Sequence, residues 1–252
     1  MRLGPVTFVK GMASGVPQHL RGRARLVIDS SMSGADDDID SAATHTIEGL
    51  DWVATSDSPT SAVAQAAGGT RVSGSSATVY ELRAAIPGAQ SSDLLCVIAD
   101  FTVHTMDKNA QTIWLKLSQG ASDTAEDVII TWRRLGASSY RFRPGYRNSS
   151  GSFALGYLGN NPTTTAIGRV QMMLIGHGHT WRAVLGTGTT KPGYAGVVAA
   201  ANATGRVISR GAGSVAGATP AHMTHIALGW NAYGGSLDAT VNHVSVHRVG
   251  II

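Results

Sequence analysis

From Thr46 onward, apolar and polar residues alternate in short runs with a period of two, the signature of strands with one face in a core. Leu95, Val97, Ala99, Phe101 and Val103 alternate with Leu94, Cys96, Ile98, Asp100 and Thr102. That run is apolar on both faces at first and on one face later, which predicts a strand through the middle of a two-sheet sandwich. Ile113, Leu115 and Leu117 alternate with Trp114 and Lys116, and Val128, Ile130 and Trp132 with Ile129, Thr131 and Arg133. Tyr140 and Phe142 form an inward aromatic pair opposite an outward basic pair, Arg141 and Arg143. The second half keeps this rhythm: Val170, Met172 and Leu174 lead into a Gly-rich turn with His177 and His179, and Trp181, Ala183 and Leu185 resume beyond it. Short apolar runs follow at 196–198, 206–208 and 226–230, and a last strand runs from Thr240 to Val249. Strands about 10 to 15 residues apart, with turns rich in Gly, Ser, Asn and Asp and no helical period between them, predict an all-β, two-sheet antiparallel jelly-roll sandwich.

Residues 1–45 lack this pattern. They hold a basic run (Arg21, Arg23, Arg25), a short apolar piece (Leu26, Val27, Ile28) and an acidic run (Asp36, Asp37, Asp38, Asp40) without hydrophobic periodicity. Such a segment buries little surface alone, so we expect an N-terminal arm over 1–45 that docks into a larger assembly, ahead of a domain over 46–252. In that reading Arg21, Arg23 and Arg25 steer by charge while Leu26 and Ile28 anchor. A loop-rich first strand of the main domain is the alternative.

Composition narrows the classes. Of 252 residues 43% are hydrophobic and 14% charged, with 31 Gly, so a disordered chain is excluded. One cysteine, Cys96, cannot build a disulfide framework, and its place in the most apolar strand reads as a buried inert thiol. The net charge of +4 is mild and the arginines are scattered, so no nucleic-acid partner is expected. The N-terminal residues lack the apolar core of a signal peptide and no run approaches the ~20 apolar residues of a membrane span, which leads us to expect cytosolic synthesis and no membrane partner.

The layout of DWVATSD, AGGTRVSGSSATVYELRA, LLCVIADFTV, GRVQMMLIGHGHTWRAVL and HIALGWNAYGGSLDATVNHVSVHRV resembles the concanavalin A-like (laminin-G-like) jelly roll over residues 46 to 252. Such modules behind a short arm also look like structural proteins of tailed bacteriophages: tail fibres, receptor-binding tips and head-surface appendages. The resemblance implies a non-enzymatic virion protein that joins other virion proteins and attaches to host-surface glycan. It also implies self-association into a homo-oligomer, although no heptad run marks a coiled coil. A decoration or baseplate subunit without ligand, and a carbohydrate-processing enzyme, are the alternatives.

Some enzymes of this fold are glycoside hydrolases, whose active strand carries paired carboxylates on one face, E-x-D-x-x-E or E-x-D-x-E. The chain has three glutamates, Glu48, Glu81 and Glu126, none with a second nearby, and Glu126 and Asp127 would point to opposite faces of a strand. No catalytic residue is therefore assigned. Asp36, Asp38 and Asp40 could present three carboxylates to Ca²⁺, but the glycine and the terminal glutamate of an EF-hand are missing, and a solvated charge run explains them. His177/His179, His222/His225 and His243/His247 suit polar outward positions better than a metal centre, and we expect none. For a sugar the candidates are aromatics beside Gly/Asn-rich turns: Trp230, Asn231 and Tyr233 first, then Tyr146 and Asn148, with Tyr157, Tyr194, Asn160 and Asn161 behind them.

Overall fold

The computed structural model describes residues 24–34, 37–38, 44–56, 61–65, 68–75, 79–90, 93–120, 127–137, 139–147, 153–154, 163–164, 168–177, 180–187 and 223–249. Two antiparallel sheets face each other, and no helix occurs among the described residues. The first sheet uses β1 (Ala24–Ser30), β2 (Asp37–Asp38), β5 (Ser61–Gln65), β6 (Gly69–Gly74), β8 (Leu94–Met106), β14 (Arg169–His177), β15 (Thr180–Thr187) and β17 (Leu237–Val249). Its order is β15-β14-β8-β17-β6-β5-β2, with β1 pairing the far half of β17. The second uses β3 (Thr44–Ile47), β4 (Leu50–Ser56), β7 (Val79–Ala85), β9 (Thr112–Ser118), β10 (Asp127–Gly136), β11 (Ser139–Arg147), β12 (Phe153–Ala154), β13 (Thr163–Thr164) and β16 (His225–Asn231). Its order is β12-β11-β10-β9-β16-β7-β4-β3, with β13 also on β11.

The alternating residues decide which faces meet. Val97, Ala99 and Phe101 of β8, Met172 and Leu174 of β14, and Val244 and Val246 of β17 line the inner face of the first sheet. Trp52, Tyr80, Leu82, Leu115, Leu117, Ile130, Trp132, Ile226 and Leu228 line that of the second. Trp132 and Tyr140 stack with ring centroids 5.5 Å apart, so Tyr140 points inward as its strand pattern predicts. The outer face of β8 is apolar as well: Cys96 and Ile98 pack with Met173, and burial pushes the Cys96 thiol up to about 12.

The arm and its anchor are corrected by the pairing of β1. Residues Ala24 to Ser30 lie antiparallel to Ser245–Val249 and Val244, Ile28 is 5% exposed within the core, and Met32 is fully buried. The sandwich therefore starts no later than Ala24, not at residue 46: Ile28 is part of its core, and the half-buried Leu26 is paired in the sheet opposite His247. The sequence hides this because the partner strand lies at the other end of the chain. Arg25 sits opposite Arg248 in the ladder, while Arg21 and Arg23 lie outside the described residues.

Candidate functional site

The outer face of the second sheet carries polar residues where its inner face carries the core. Because the registers of β7, β16, β9, β10 and β11 are continuous, its residues form rows across five strands. One row reads Val79, Asn231, Thr112, Arg133, Arg141, and the next Glu81, Gly229, Trp114, Thr131, Arg143. A third reads Arg83, Ala227, Lys116, Ile129, Gly145.

The middle of this face is a closed ionic network. Glu81 accepts from the Trp114 indole N–H at 3.0 Å, from Lys116 Nζ at 2.6 and 2.9 Å, and from Arg83 Nε and Nη2 at 2.8 and 2.5 Å. Asp127 adds a second carboxylate 3.8 Å from Lys116 Nζ. Glu81, Arg83, Trp114, Lys116 and Asp127 are all buried. Trp114 reaches Glu81 because the intervening strand offers Gly229: a Cβ there would overlap the indole ring. A carboxylate has about four lone-pair sites, so five donor contacts fill it. Glu81 thus bridges two cations and fixes Trp114, with both its oxygens engaged. Burial and the nearby Arg83 guanidinium together hold His225, at the edge of the network, below the ordinary imidazole value.

One end of the face is open. Thr131, Arg133 and Arg141 are part-exposed there, and the chain leaves Asn231 into the turn that carries Tyr233. Tyr233 is 51% exposed and adopts a left-handed backbone with φ +52, a conformation rare for a bulky residue. The turn is pinned at both ends. Asn231 Oδ1 accepts the Tyr233 backbone N–H at 2.7 Å, and the Ser236 N–H donates to Asp107 Oδ1 at 2.7 Å. The fully buried Gln111 donates to the Ser236 carbonyl at 2.8 Å. Gly235 has no room for a side chain against Asp107 and Lys108.

Of the five expected ligand residues, then, Asn231 and Tyr233 share this turn. Trp230 does not face a ligand: it is 2% exposed and stacks on Tyr80 inside the core, with centroids 4.9 Å apart. The alternation of Ile226, Leu228 and Trp230 puts all three on the inner face, and Asn231, the last residue of β16, on the outer one. Tyr146 occupies the β11 position opposite Val128 and Ala154. Asn148, Tyr157, Tyr194, Asn160 and Asn161 lie outside the described residues, as do Asp36 and Asp40. Asp38 lies in β2 opposite Val63. No group of three metal-capable side chains forms among the described residues. His243 pairs with Asp29 at 2.8 Å, and His247 is buried on the same sheet. His179 and His222 lie outside the described residues.

The network around Glu81 had only a weak sequence signal. Glu81 and Arg83 share one strand face and Trp114 and Lys116 another, but β16, which joins them, comes more than a hundred residues later in the chain.

No protein-family model matches the chain, and no curated protein matches it by sequence. Solved structures do match in fold. The endo-1,3-beta-glucanase from Streptomyces sioyaensis superposes with a TM-score of 0.56 at 11% identity, covering 94% of this chain and 99% of its own. The CBM2 module of the evolved Dit of Lactobacillus casei BL23 phage J-1 gives 0.50 at 6% identity, covering 91% and 98%. A Bacillus subtilis protein of unknown function with a galectin-like fold gives 0.50 at 10% identity, covering 90% and 97%. The chain has the lectin-like jelly-roll fold, of the concanavalin A-like and galectin-like kind, which glucanases and binding modules share.

Proposed function

We propose that the chain is a non-enzymatic glycan-binding module of a phage virion, part of a tail or capsid appendage that attaches to the host surface. The observation that carries this reading is Tyr233, an exposed aromatic ring on a turn fixed by Asn231, Asp107 and Gln111. A ring displayed on a backbone already fixed stacks on a sugar without the cost of ordering the turn, and the polar row through Asn231 offers partners for hydroxyl groups. The filled acceptor sites of Glu81 support binding without hydrolysis, since a general acid or nucleophile needs an oxygen directed at the scissile bond. The virion assignment is supported by the likeness to the phage Dit module, which spans nearly all of both chains.

The test is a glycan array and a host-cell sedimentation assay with the labelled full chain, in wild-type and Tyr233→Ala forms. Retention on a saccharide that falls about tenfold in the variant supports the reading, a loss on the scale of one stacking contact. Absence of retention on every glycan and cell surface would favour a decoration or baseplate subunit without ligand.

A further inference from the structure

Arg133 and Arg141 face each other directly across the β10–β11 pair, on the outer side of the sheet. Like charges at directly opposed positions repel, and natural sheets normally separate them or place an acid between. Among the described residues, the carboxylates of this face lie elsewhere: Glu81 on Lys116 and Arg83, and Asp127 on Lys116. The Nε atoms of Arg133 and Arg141 are buried and find no acceptor among the described residues, although both side chains are part-exposed. A buried cationic N–H without an acceptor is costly, and the cost is doubled by having two in adjacent positions. Arg143 and Arg147 continue the same parity along β11, at the positions opposite Thr131 and Asp127.

We infer that the Arg133–Arg141 pair is a subsite for the carboxylate or sulfate groups of an acidic polysaccharide. The guanidinium fork matches a two-oxygen anion, and a group seated between the part-exposed ends of two opposed arginines relieves their repulsion. The same row places Asn231 two strands from Arg133, roughly 10 Å at the usual strand spacing, about two sugar units. A chain of sugars lying across the strands thus meets the Asn231–Tyr233 turn and the arginine pair together. This inference rests on the glycan-binding reading and specifies its ligand as anionic.

The experiment titrates the full chain with polygalacturonate, alginate, dextran sulfate, uncharged dextran and single-stranded DNA at about 0.15 M salt, where weak long-range attraction is screened. The variants are Arg133→Gln/Arg141→Gln, Arg133→Lys/Arg141→Lys, and Arg71→Gln as a control with a charge removed from the other sheet. At least one acidic polysaccharide is expected to bind, with uncharged dextran at least about tenfold weaker. The glutamine double variant is expected to lose about tenfold or more, the lysine variant to recover part of that, and Arg71→Gln to lose nothing. The glutamine variant is also expected to melt no lower than wild type, because the repulsion is gone. Equal losses in Arg71→Gln, full affinity in the double variant, or DNA binding as tight as the polysaccharide through the same arginines would each overturn the inference. If only neutral glycans bind, the anionic subsite falls and the glycan-binding reading stands; if no saccharide binds, both fall.

Discussion

Trp114 on β9 donates its indole N–H to Glu81 on β7, two strands away, at 3.0 Å, across a backbone that carries only the hydrogen of Gly229 between them. The aromatic ring thereby lies flat on the sheet and ties the outer ionic network to its floor. Substituting Gly229→Ala pushes the indole off this position. The expected loss is about 1–3 kcal/mol, the usual range for overpacking, accompanied by a change in Trp fluorescence. Urea denaturation with a fluorescence readout checks both, and unchanged stability with an unchanged spectrum would contradict the packing described.

Removing the carboxylate is more severe. Glu81 is the common partner of two buried cations, Lys116 and Arg83, so Glu81→Gln takes the carboxylate from Arg83 and leaves Lys116 only the more distant Asp127. A loss of about 3–5 kcal/mol is expected for breaking one partner of a buried pair. Chemical denaturation measures it, and a Glu81→Gln/Arg83→Met double variant should recover part of the loss because the cation that lost its carboxylate is gone as well.

Much of the sandwich follows from period-two alternation, and the exceptions have physical causes. The run from Leu94 to Met106 is legible because both its faces are apolar early on, and it lies between β14 and β17. Leu26–Ile28 reads as an anchor because an isolated short apolar piece looks the same whether it docks on a partner or on its own chain. Its partner is β17, and nothing local reveals a ladder between the two ends of a sequence. Trp230 reads as a rim residue only if the turn after it is weighed above the parity before it. Tyr233, three residues on, was legible as exposed because it follows the strand end. The Glu81 network required knowing that β16 inserts between β7 and β9, which strand patterns alone do not tell.

Acid should weaken the fold through His247. Burial pushes its imidazole down to about 4 from an ordinary 6.5, with Asp29 pulling upward and His243 pushing further down. The folded state thus keeps it neutral while the unfolded chain takes a proton below about 6.5. Its contribution is fully present above that pH and is lost as pH falls from about 6.5 toward about 4, by about 3 kcal/mol in all. Denaturation midpoints measured across this window in wild type and His247→Gln check it: the variant should show a flatter profile.

The backbone at Tyr233 costs stability in exchange for display of its ring. Left-handed φ is disfavoured for any residue but glycine by about 1 kcal/mol or more. Tyr233→Gly is therefore expected to be more stable than Tyr233→Ala by about that amount while both lose the ring. Thermal melts compare the two, and an Ala variant as stable as the Gly variant would show the turn to be unstrained.

A chain starting at residue 46 should fail to fold cooperatively. It lacks β1, the partner of the far half of β17, and the core side chains of Ile28 and Met32. Circular dichroism and size exclusion check this; a native-like melt would restore the arm reading of 1–45.

The most direct test of the central claim is to incubate the full chain with the best saccharide from the array and follow both its retention and its chain length. Binding without cleavage is the expected result: the saccharide stays with the protein, its length is unchanged, and Tyr233→Ala releases it. Shortened products, or no retention by the wild-type chain, would contradict the claim.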